Sequence, residues 1–133
     1  MSKELFNFHV DEERKMITIN FRGTPEKGEV NDFHAQYMSH IAPLPTKEYL
    51  LLLNAREMDM PEPHRLVEMQ ISFALYRQSG FKTIGFMFRD DSYVTQLRKI
   101  FIFSGIAEAT DISFITADEK EAFIENHLKD LEQ

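Results

Sequence analysis

The stretch Tyr49-Leu50-Leu51-Leu52-Leu53-Asn54 limits what this chain can become more than any other. Four leucines in succession leave no polar phase for water, and the run is short and bounded by polar and proline-rich sequence. It therefore predicts a central strand buried on both faces of a sheet. A loop from Ala55 to Pro63 and a helix are expected to follow, since Pro61 and Pro63 stiffen the connection and proline suits a first helical turn.

The flanking segments arrange themselves around that strand. Leu5 to Val10 alternates Phe6, Phe8 and Val10 against Asn7 and His9, the period of a half-buried strand, and Met16 to Phe21 reads as its antiparallel neighbour across the polar turn Asp11 to Lys15. From Glu26, Val30, Phe33, Tyr37, Met38 and Ile41 recur at helical spacing, up to the break at Pro43-Leu44-Pro45. The helix after Pro63 carries Leu66, Val67, Met69, Ile71, Phe73, Ala74, Leu75 and Tyr76. These cover more than one stripe, so the helix is either deeply buried or has a second contact surface, and Gly80 marks its stop. Thr83 to Phe88 is a further apolar strand, and Asp90-Asp91-Ser92 suits the N-cap of a helix from Tyr93 to about Phe103, with Ile102 and Phe103 off its core stripe. Ile112 to Ile115 is the fifth strand. A last helix from Asp118 to about Leu131 uses Ala122, Phe123, Ile124, Leu128 and Leu131, with His127 at its wet rim.

The order β-β-α-β-α-β-α-β-α predicts an α/β fold: a five-stranded mixed sheet, mostly parallel after the opening hairpin. Residues 1–133 suit a single domain, large enough to bury roughly 70% of its surface. No apolar segment approaches the ~20 residues that span a bilayer, and the start lacks a secretory pattern. Without cysteine, disulfides and thiolate chemistry are out of reach. A cytoplasmic protein is expected. The formal charge of −7 speaks against nucleic acid and anionic membranes as partners.

The strand "EYLLLLN", the strand "KTIGFMF" with its capped helix "DDSYVTQLRKIF", and the closing "ISFITADEKEAFIENHL" resemble the STAS, or anti-sigma-factor-antagonist-like, family over nearly the whole chain. The resemblance implies helices mainly on one face of the sheet. It also implies a partner-binding loop after the third strand, where antagonists of that family carry a phosphorylatable serine or threonine at a helix N-terminus, a position that favours a phosphate. Here the loop reads Asn54-Ala55-Arg56-Glu57-Met58-Asp59-Met60-Pro61-Glu62-Pro63-His64. It has no hydroxyl, and Glu57, Asp59 and Glu62 would repel a phosphate, so the phosphoryl switch is absent from it. A receiver domain would need an aspartate where Asn54 stands.

Little in the sequence makes or breaks bonds. His64 and Glu68 stand at i and i+4, which can orient an imidazole as a base but more simply makes a surface ion pair. Neither that pair nor His34 with His40 has metal-ligand spacing, and no glycine-rich phosphate loop occurs. No enzyme, cofactor or metal is expected; a hydrolase or isomerase using His64 with Glu57 or Asp59 is the weakest reading. The leading one is a protein-interaction or regulatory module that forms a homodimer, and the alternative is a carrier or sensor of a small apolar, lipid-like ligand lined by some of the seven methionines and twelve phenylalanines. Asn54, Glu57, Asp59, His64, Asp91, Ser92, Ile102 and Phe103 are the residues expected at the partner- or ligand-binding surface.

Overall fold

The structure is a computed structural model that describes residues 6–23, 27–58, 66–88, 98–99 and 111–131; for 27–30, 66–70 and 111 it describes the backbone. Strands β1 (Phe6–Asp11) and β2 (Met16–Gly23) form the expected antiparallel hairpin. In its turn the Arg14 N–H donates to Asp11 Oδ1 at 3.1 Å, and Lys15 takes the left-handed conformation with φ 54°. The register sets Phe6, Phe8 and Val10 opposite Phe21, Ile19 and Ile17 on one face. Asn7, His9 and Asp11 lie opposite Asn20, Thr18 and Met16 on the other.

The next three strands, β3 (Leu50–Met58), β4 (Thr83–Phe88) and β5 (Asp111–Phe114), join in parallel, so the order across the sheet is the order along the chain. Leu50 to Leu53 are at most 1% exposed, as a strand covered on both sides must be. Leu51, Leu53, Ile84 and Phe86 face α1 (Lys27–His40) and α2 (Leu66–Ser79), which contribute Phe33, Tyr37, Phe73 and Tyr76. Leu50, Leu52, Met87 and Met16 face away from these, against Ile124 and the flanking Phe123 and Leu128 of α3 (Lys120–Leu131). Among the described elements, α1 and α2 thus cover one face and the closing helix covers part of the other. Each leucine so enclosed contributes about 1.5–3 kcal/mol relative to exposure.

The central strand runs further than its leucines suggest. Ala55 to Met58, expected in a loop, continue β3, because β2 extends to Gly23 and supplies a ladder in which Arg22 pairs Glu57 and Gly23 pairs Met58. The register slips between Asn20 and Arg22. That irregularity lets Ala55 and Met58, three positions apart, enter the same core, which strict alternation forbids.

The helices correct two inward assignments, Met38 and Ala122, and decide between the alternatives left open for α2. Met38 is 52% exposed: it follows the buried Tyr37 by about 100° of helical rotation. Ile71 is 53% exposed, on the side of α2 opposite Phe73 and Tyr76, so among the described side chains this helix is not buried all round. Ala122 is exposed, while His127, expected at the wet rim, is 2% exposed. The start of α3 is set by a capping box: Thr116 N–H donates to Glu119 Oε1 (3.0 Å), and Glu119 N–H to Thr116 Oγ1 (3.3 Å). At the end of α2, Gly80 has φ 67° and its N–H reaches the carbonyls of Tyr76 and Arg77 at 3.3 and 3.1 Å.

At Gly85 in β4, α3 packs tightly against the sheet. A Cβ there would lie 2.7 Å from Phe123 Cε1 and 3.2 Å from Ile115 Cδ1. Gly85→Ala is expected to cost about 1–3 kcal/mol through overpacking, read as a lowered urea midpoint with an unchanged slope. An unshifted midpoint would mean that the Phe123 ring swings aside freely.

Candidate functional site

At the carboxyl ends of β2 and β3 the sheet face beyond α3 is polar. Asn54 Nδ2 donates to Asn20 Oδ1 and Asn20 Nδ2 donates to Asn7 Oδ1, both at 2.9 Å, making a row of amides across three strands. Asn54 Oδ1 in turn accepts from the Arg56 backbone N–H (3.3 Å) and from Arg56 Nε (3.0 Å). Asn54, a predicted site residue, is thus half-buried and holds Arg56 in place. Glu57, another, is exposed on the strand with its carboxylate 4.0 Å from Arg22 Nε. The corner expected to be acidic therefore also carries two guanidinium groups, Arg22 near Glu57 and Arg56 on Asn54. Asp59, His64, Asp91, Ser92, Ile102 and Phe103 lie outside the described residues, as does most of the predicted helix from Tyr93 to Phe103. Within that stretch, residues 98–99 are helical and the Arg98 guanidinium sits 5.6 Å from the centre of the Phe114 ring.

A second polar cluster, absent from the sequence reading, joins α1 to α2. His34 Nε2 lies 2.8 Å from Ser72 Oγ, and Tyr37 OH lies 2.5 Å from Ser79 Oγ. Thr46, buried in the short 3₁₀ turn Thr46–Glu48, donates its hydroxyl to the Ser79 carbonyl. Burial pushes the Tyr37 hydroxyl up to about 12, a rise that its hydrogen bond to Ser79 only partly offsets. Tyr76, packed on Tyr37 with ring centres 5.6 Å apart, is pushed well above the usual tyrosine value by burial and then by Tyr37. The imidazole–hydroxyl pair of His34 and Ser72 has the separation of a base and its nucleophile. Both residues sit inside helices, however, where backbone N–H groups are already donated along the helix and none turns toward an oxyanion. The pair ties the two helices together.

The third polar feature is His127. Its Nε2 is 3.0 Å from both the Arg14 and Lys15 carbonyl oxygens, which only accept, so Nε2 carries the hydrogen. Nδ1 is buried with no hydrogen-bond partner among the described residues. The signal lay in the spacing of Phe123, Ile124, His127 and Leu128, an unbroken helical stripe once a histidine is admitted to it. The amide row and the His34–Ser72 tie had no such signal, because each depends on a register between segments distant in sequence.

Among the described residues no group of three or more His, Asp or Glu is placed to hold a metal ion, and no helix is long and apolar enough to cross a membrane.

No protein-family model matches the chain, and no curated protein does. Among solved structures the chain is similar to an uncharacterised protein of the DUF3478 family, with a SpoIIAA-like fold, from Shewanella loihica PV-4. The two share 16% sequence identity and superpose with a TM-score of 0.62 over 92% of this chain and 96% of the other. The mixed five-stranded sheet in chain order, the crossover helices on one face and this likeness together give the chain a SpoIIAA-like, STAS-type α/β fold.

Proposed function

We propose that the chain is a non-catalytic, self-associating protein-interaction module that uses a STAS-like frame without a phosphoryl switch in the loop after β3. One observation carries this reading. Met38 and Ile71 are more than half exposed, whereas every other large apolar side chain among the described residues is at least partly buried. One stands on α1 and the other on α2, and self-association would take this exposed apolar surface out of water. The hydroxyl-free sequence from Asn54 to His64 agrees with a partner held without phosphorylation. Light scattering on a concentration series is expected to give a mass rising from 15.6 kDa toward twice that value. A constant monomer mass over the whole series overturns the reading.

The carrier reading has less behind it. Phe33 meets Phe6, Phe8 and Phe21 at ring separations of 5.2, 5.6 and 5.5 Å, and Phe73 meets Tyr76 and Phe86 at 5.4 and 6.2 Å. These rings pack on one another, leaving their faces already occupied.

A further inference from the structure

We draw no further inference here: the strongest candidate, the outer edge of β1, where Asn7 ends the row of amides, borders residues 1–5, which lie outside the described residues, and nothing in the structure shows what covers it.

Discussion

Replacing His127 with alanine is expected to lower the unfolding free energy by about 2–4 kcal/mol, combining a lost hydrogen bond with a cavity in a packed layer. The imidazole reaches two successive carbonyls of the β1–β2 turn, and Lys15 O also accepts from the Leu50 N–H at 2.9 Å. One side chain of α3 therefore steadies the point where the hairpin meets the central strand. Ala122→Gln, on the exposed side of the same helix, is expected to shift stability by no more than about 0.5 kcal/mol. Urea unfolding followed by circular dichroism measures both. Equal losses for the two would show that α3 presents a different side to the sheet.

Alkaline pH is expected to weaken the fold steeply between pH 10 and 12. Tyr37 is 1% exposed and its hydroxyl is pushed up to about 12 by burial, against about 10 in an unfolded chain. The fold thus favours the neutral phenol. Its contribution is fully present below pH 10 and is lost as pH rises through 12, at about 1.4 kcal/mol per pH unit, or close to 2.7 kcal/mol over the interval. Tyr76 is displaced in the same direction and steepens the fall. Urea midpoints from pH 9 to 12 give the slope for the wild type and for Tyr37→Phe, which removes one of the two contributions. If the variant loses stability with pH as steeply as the wild type, Tyr37 ionises without opposing the fold. The hydrogen bond to Ser79 is lost in the variant at every pH, a constant offset of about 1 kcal/mol that leaves the slope comparison intact.

The fold was legible where hydrophobic period and local chemistry agree. Leu50 to Leu53 required a doubly covered strand, the phases of Phe6, Phe8 and Val10 and of Ile17 and Ile19 required a hairpin facing one way, and Gly80 closed α2 through its left-handed backbone. What escaped were features fixed between segments. The extension of β3 to Met58 depends on how far β2 runs, not on the polar letters Arg56 and Glu57. His127 looked like a surface residue because its two carbonyl partners lie more than a hundred positions earlier in the chain. Of the predicted site, Asn54 and Glu57 reach the same strand end but are engaged by Asn20, Arg56 and Arg22. The exposed Met38 and Ile71 came from helices whose apolar residues outnumber the positions that one buried side can take.

The strands stand side by side in the sequence in which a ribosome would deliver them, so each can settle on its predecessor as it emerges. The layer that holds Phe33, Tyr37, Phe73 and Tyr76 can consolidate along the way, since its helices arrive between the strands they cover. The reverse side has to wait. Leu50, Leu52 and Met87 gain their lid only when residues 120–131 appear, and until then a nascent chain would present a greasy strip that is safest in the care of a chaperone.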